Sequence, residues 1–162
     1  MIQILAPSYD GGGMEGDPFV IATPDDVVCL TNRIEDWGKV FVLAGDIDMT
    51  EVKDYLPPGG FSGVFDGAGH VISNLTIDRP GECNLGLMGS LYGGKIRNLG
   101  LDGGSVTGLY YVGGLAGHCF YGTINGCYAS GPGSGDTYVG GVAGSSLYSH
   151  ISSCYATGPV SG

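Results

Sequence analysis

Three aspartates are the first residues whose types and spacing could do chemistry. Asp46 and Asp48 stand at i and i+2 in "GDIDM", on one face of a strand through them, and Asp66 follows in "FDG". Paired carboxylates can serve as the acid and nucleophile of a glycosidase, or they can ligate calcium. A calcium loop counted from Asp46 fails, because its sixth position is Glu51 instead of glycine and its twelfth is Pro57. Aspartates in such breaker-rich stretches more often cap turns, and that reading comes first. Asp46, Asp48 and Asp66 therefore stand only as weak metal candidates. No catalytic residue is assigned and no cofactor is called for, calcium being the one ion whose ligand types are present.

His70, His118 and His150 have no partner at ligand spacing and are expected at solvated or turn positions. The chain has no phosphate loop, nucleophile elbow, zinc helix or dinucleotide fingerprint. The tyrosines say more. There are ten, and Tyr111 matches Tyr138, Tyr121 matches Tyr148, and Tyr128 matches Tyr155. Rows of rigid amphipathic rings suit sugars or protein partners, which makes Tyr111, Tyr128, Tyr138 and Tyr155 the candidate ligand-binding residues. The plainer alternative is that stacked rings stabilise the surface they stand on.

Such rows require a repeating scaffold. "YVGGLAGHCFYGTINGCYASG" from Tyr111 and "YVGGVAGSSLYSHISSCYATG" from Tyr138 align without a gap at a spacing of 27 residues. Anchoring on isoleucine extends the series to Ile72, Ile96, Ile124 and Ile151, with glycine-flanked apolar pairs starting at Gly86, Gly114 and Gly141. Each unit alternates apolar and polar residues briefly and then breaks at Gly, Asn, Ser or Pro, which argues short strands and turns. A unit this small cannot bury both its faces, so units must stack, strand on equivalent strand. The expected fold is all-β, a right-handed parallel β-helix. Residues 61–162 form repeats of about 27 residues, and residues 1–60 form an N-terminal cap and first coil containing one short α-helix.

Stacking predicts columns. Ile72, Ile96, Ile124 and Ile151 should point inward as one, Leu75, Leu99, Cys127 and Cys154 as a second, and Ile77, Leu101, Ala129 and Ala156 as a third. Thr76, Gly100, Tyr128 and Tyr155 should point outward, and Asn74 and Asn98 should occupy turns that tolerate left-handed backbone. In the cap, Phe19 to Ala22 reads as a strand. Thr23 then suits a helix N-cap, Pro24 the first turn, and Val27, Leu30 and Ile34 one apolar helical face. "KVFVLAGDIDM" reads as the next strand.

Composition narrows the function. The 162 residues carry a net charge of −10, and past Asp102 the only charged side chain is Asp136. That disfavours nucleic acid and anionic membrane, and no apolar run approaches the roughly 18 residues of a membrane helix. The start "MIQILAPSYDGGG" lacks a basic n-region, so an export leader, if the protein has one, is absent from this chain. Five cysteines leave at least one thiol unpaired within the chain, and Cys127 and Cys154 read as small buried residues, with a bond between them the lesser alternative.

The run "DPFVIATPDDVVCL … KVFVLAGDIDM … FSGVFDGAGHVISNLTI … GLMG … IRNLGL … YVGGLAG … INGCYASG" resembles the GLUG-motif repeat family of bacterial surface and secreted proteins. The resemblance covers nearly the whole chain from Asp17 and implies β-helical stalks in large exported proteins, among them adhesins and some peptidases. It implies an extracellular structural or adhesive role and transfers no catalytic residue. The expected function is thus a non-enzymatic stalk, adhesin or self-assembling surface module, with a carbohydrate-binding module or a polysaccharide-cleaving β-helix as alternatives. Expected partners are other copies by end-to-end stacking, or extracellular glycans or proteins.

Overall fold

A computed structural model describes residues 9–162, so the first eight residues of the expected cap lie outside the described residues. The chain winds as a parallel β-solenoid with five strand-bearing faces. Face a has six strands: Phe19–Ile21, Val40–Leu43, Val64–Asp66, Lys95–Arg97, Thr123–Asn125 and His150–Ser152. Face b holds Ile47–Asp48, Val71–Ser73, Gly100–Asp102, Tyr128–Ala129 and Tyr155–Ala156. Face c holds Thr76–Asp78, Ser105–Thr107, Gly133–Ser134 and Val160–Ser161, and face d holds Tyr110–Val112 and Thr137–Val139. Face e holds Met88–Tyr92, Ala116–Phe120 and Ala143–Leu147, after which the chain returns to face a one rung further on.

The inner column of face a runs Phe19, Phe41, Phe65, Ile96, Ile124, Ile151. Ile72 is not in it. It pairs with Ile47 and Leu101 on face b, in the column that continues to Ala129 and Ala156. Ile77 likewise stands one face further on, against Val106, and Thr76 points outward beside Ser105 instead of Gly100. Leu75 lies beside Gly104, which leaves Leu99, Cys127 and Cys154 as the second column. The cause is the turn "GAGH" between Asp66 and Val71, which is longer than the turn at Asn98. Matching "ISNL" to "IRNL" therefore slid the earliest unit by a whole strand. Asn74 and Asn98 are both left-handed, at φ 59° and 54°, but occupy different corners.

The GLUG-type glycines are fixed by approach distance. A Cβ on Gly117 would stand 2.4 Å from the Leu85 nitrogen, and one on Gly144 would stand 2.5 Å from the Val112 nitrogen, so neighbouring coils touch backbone to backbone there.

The cap forms as its residues dictate. Thr23 and Asp26 make a reciprocal capping box at the start of the helix Pro24–Asn32, whose Val27 and Leu30 are buried in the common core. Ile34 departs from the expected apolar face. The helix has ended, a 3₁₀ turn covers Ile34–Asp36, and Ile34 is 70% exposed. "KVFVLAGDIDM" is two strands instead of one, broken at Ala44–Asp46 where the chain turns from face a to face b. Tyr9 packs against Phe19 and Phe41 and donates to Asp36, and the Asp10 carbonyl accepts from Val20 N–H, so the outer edge of the first strand is covered.

Candidate functional site

The outer surface of face e carries a belt of aromatic rings. Along the strand Ala116–Phe120, His118 and Phe120 point outward while Cys119 points into the core. The belt is bounded on both rims by tyrosine pairs. Tyr111 and Tyr138 stack at 4.9 Å with planes 9° apart, and Tyr121 and Tyr148 stack at 5.2 Å and 15°. Contacts are continuous between the rims: Tyr111 to His118 at 5.4 Å, His118 to Phe120 at 6.0 Å, Phe120 to Tyr121 at 4.4 Å. Tyr92 adds an edge contact to Phe120 at 5.6 Å.

All four rim tyrosines have positive φ, between 51° and 58°. A bulky residue in the left-handed region costs roughly 1–2 kcal/mol, and glycine could hold each corner without that cost. Tyr111 and Tyr138 stand opposite each other in register, and the left-handed backbone at both interrupts the ladder between its flanking pairs. Backbone strain retained for an exposed ring is what points to this belt as the site.

The predicted tyrosines do not converge. Tyr111 and Tyr138 belong to the belt, whereas Tyr128 and Tyr155 stack at 5.3 Å and 10° on face b, in ordinary extended backbone. Tyr128 leans over Gly100, where a Cβ would meet its ring at 2.5 Å. That partial burial, with the Asp102 charge adding to it, pushes its phenol above the ordinary value. Pairing of Tyr121 with Tyr148 was legible from the repeat. Their place in the belt was not, because it depends on Phe120 and His118, which occur in one repeat only. His118 is half-buried and sits mid-strand instead of in a turn, and its Nδ1 is buried without a hydrogen-bond partner among the described residues. His150 lies in a strand but is solvated, as expected, and His70 ends a turn with its Nδ1 3.5 Å from Asp46.

The three aspartates are each engaged by backbone at a turn. Asp46 accepts from Val71 N–H. Asp48 accepts from the Thr50 hydroxyl, the Asn74 amide and the Thr50 N–H, which hold its carboxyl below the ordinary value. For Asp66, partial burial pushes the carboxyl up, but bonds from Ala68 N–H, Arg97 and Asn98, with the Arg97 charge, outweigh it and leave it lowered. Asp46 and Asp48 do not share a strand face, since the strand begins at Ile47. Among the described residues no three His, Cys, Asp or Glu side chains converge as a metal would require. All five cysteines are free thiols.

One whole coil, residues 135–161, matches the GLUG motif. The same chain is 32% identical over 146 residues to halomucin of Haloquadratum walsbyi, an alignment spanning 82% of this chain and 2% of halomucin. The chain belongs to the GLUG-motif repeat family. As a GLUG chain it spans only a small fraction of that relative's length. A crystal structure from Bacteroides ovatus, described provisionally as an immunoglobulin A1 protease, shares the fold at a TM-score of 0.59 and 22% identity, covering 90% of this GLUG chain and 58% of that one. No helix among the described residues is long and apolar enough to cross a membrane.

Proposed function

We propose that this chain is a non-enzymatic, extracellular structural segment that extends a surface protein by stacking coil on coil. The observation that carries the reading is the unbroken stacking of equivalent parallel strands from rung to rung, each coil offering the next the same surface. The apolar inner column and strand edges of the coil 135–161 repeat the surface on which the coil itself sits, so a further coil of the same shape, from the same array or from a second copy, fits there. Kinship with a protein named as a mucin supports the extracellular setting. The engagement of Asp46, Asp48 and Asp66 in turn hydrogen bonds favours the structural reading over glycoside cleavage, with no calcium role assigned to them.

The test is to fuse a second copy of residues 136–162 after Gly162, which keeps the register of 27, and to follow thermal unfolding and sedimentation. A raised melting temperature is expected, with any self-association of the parent chain retained, because the added coil presents the same end surface. An unchanged melting temperature would overturn stacking as the role of that end.

The belt favours a second reading, adhesion through face e. Three of its rim tyrosines, Tyr121, Tyr138 and Tyr148, are exposed, and all four are held in left-handed backbone. The close stacking of the rim pairs turns ring edges and hydroxyls toward solvent, which suits a protein or glycan surface contacted through hydrogen bonds. Binding to immobilised host glycans and proteins, lost in a Tyr121→Ser/Tyr148→Ser variant that melts near the parent, would support adhesion. Binding retained in that variant would remove it.

A further inference from the structure

Face c begins one rung later than face b and two rungs later than face a. Its first strand, Thr76–Asp78, pairs with Ser105–Thr107 on one side only. The side that remains free follows from the hydrogen bonds. Ser105 N–H donates to the Leu75 carbonyl and Arg79 N–H donates to the Thr107 carbonyl, so residues 75, 77 and 79 turn their backbone groups toward the next rung. The N–H and C=O of Thr76 and Asp78 therefore face the other way, where no strand pairs. The preceding coil passes there as the loop 50–55, held off by Arg79, whose guanidinium donates to the Asp54 and Tyr55 carbonyls at 3.3 and 3.2 Å. Between the loop and the strand edge lies a cavity of about 260 Å³ lined by Thr50, Lys53, Asp54, Thr76, Asp78 and Arg79, among others. It occupies the place of a missing strand.

Its charges are not equally available. Lys53 donates to the Thr50 carbonyl, and Arg79 is paired with Glu82. The Asp78 carboxylate, exposed on the edge strand, makes neither hydrogen bond nor ion pair among the described residues. We infer that this cleft takes an extended peptide segment of a partner protein as an added parallel strand, with a basic side chain of that peptide beside Asp78. Main-chain bonds to Thr76 and Asp78 supply the affinity and Asp78 selects the charge, the division of labour general to strand addition. A saccharide would not need two outward N–H and C=O pairs at strand spacing.

Random heptapeptides displayed on phage and selected against the whole chain provide the probe. Enriched sequences should alternate β-prone residues around a Lys or Arg, and the synthetic peptides should protect the Thr76 and Asp78 amides from hydrogen exchange. Asp78→Lys should weaken them by about tenfold or more, the size of one charge-assisted contact. N-methylation of alternate peptide amides should do the same, and because it alters only the probe it is immune to any folding defect. Thr76→Pro, which removes an edge N–H, should also weaken binding in a chain that still melts cooperatively. Failure to enrich any peptide, equal binding of N-methylated peptides, indifference to Asp78→Lys, or displacement of the peptides by neutral oligosaccharides would each overturn the inference.

Discussion

The coils 111–131 and 138–158 are nearly one sentence written twice, yet they are physically unlike. Ile124, Cys127 and Ala129 are buried in the first, while Ile151 and Ala156 are exposed and Cys154 is half-buried in the second. The strand pairing is the same, Ile124 on Ile151 and Ala129 on Ala156, so local conformation does not account for the difference. What differs is the number of neighbours. In a solenoid a residue is buried by the coils on either side of it, and the same side chain is core in one rung and surface in the next.

The strongest way to break this comparison is to charge both members of a pair. Ile124→Asp puts an uncompensated carboxylate in a fully apolar column and should cost about 4 kcal/mol or more, while Ile151→Asp should cost about 1 kcal/mol. Chemical denaturation of the two variants decides it. Equal losses would mean that the second coil is buried in solution, as it would be in an assembled stack, and repeating the measurement across concentrations would show which.

The two thiols sharpen the same contrast. Burial pushes the Cys127 thiol up to about 11, so at neutral pH it holds about a hundredfold less thiolate than an ordinary cysteine. Cys154 is half-buried in this chain. Alkylation followed by mass spectrometry should modify exposed Cys83 first, Cys154 next, and Cys119 and Cys127 last. Modification of Cys127 as fast as Cys154 would show that the inner coil opens on the reaction timescale.

Much of this was legible because the last two units agree residue for residue: the solenoid, the turn glycines and the tyrosine pairs all follow from one period. Legibility failed where units differ in length. The Asp66 and Arg97 side chains pair across 31 residues, whereas Asn125 and Ser152 pair across 27. The extra residues lie in a corner, which a solenoid absorbs without disturbing its ladders, so nothing in the strands warns of the slip that misplaced Ile72. The aromatic belt was hidden for a different reason. Phe120 and His118 replace Leu147 and Ser145 of the next rung, so the feature joining the two tyrosine rows breaks the period that revealed them.

That outward column on face a also divides by chemistry. Its upper members, Asp66 and Arg97, form an ion pair at 2.9 Å, and its lower members, Asn125 and Ser152, a neutral bond at 2.8 Å. Because the folded chain lowers the Asp66 carboxyl, the pair's contribution is present above the ordinary carboxylate range and is lost as pH falls through the lower folded value. With Arg97 half-exposed, solvent screening limits it to about 1 kcal/mol. Asp66→Asn should flatten that acid limb of the stability profile, and Ser152→Asp should not reproduce it, since the residue it pairs with, Asn125, carries no charge. An unchanged acid limb in Asp66→Asn would assign it to Asp48, whose carboxyl is lowered by its own turn.

The smallest effect concerns the rings. If the ladders only brace the surface, Tyr128 and Tyr155, in relaxed backbone, and Tyr121 and Tyr148, in strained backbone, should each couple by about 0.5–1 kcal/mol in a double-mutant cycle to serine. The strained pair carries a further signature. Replacing Tyr121 or Tyr148 by glycine relieves the left-handed backbone as it removes the ring, so each glycine variant should be at least as stable as the serine variant at the same position, by about 1 kcal/mol. At Tyr128 and Tyr155 the order should reverse, because glycine gains nothing there and loses strand propensity. Finding the same order at all four positions would mean that the corners of face e are not strained, and the argument that their tyrosines are kept for what they contact would fall with it.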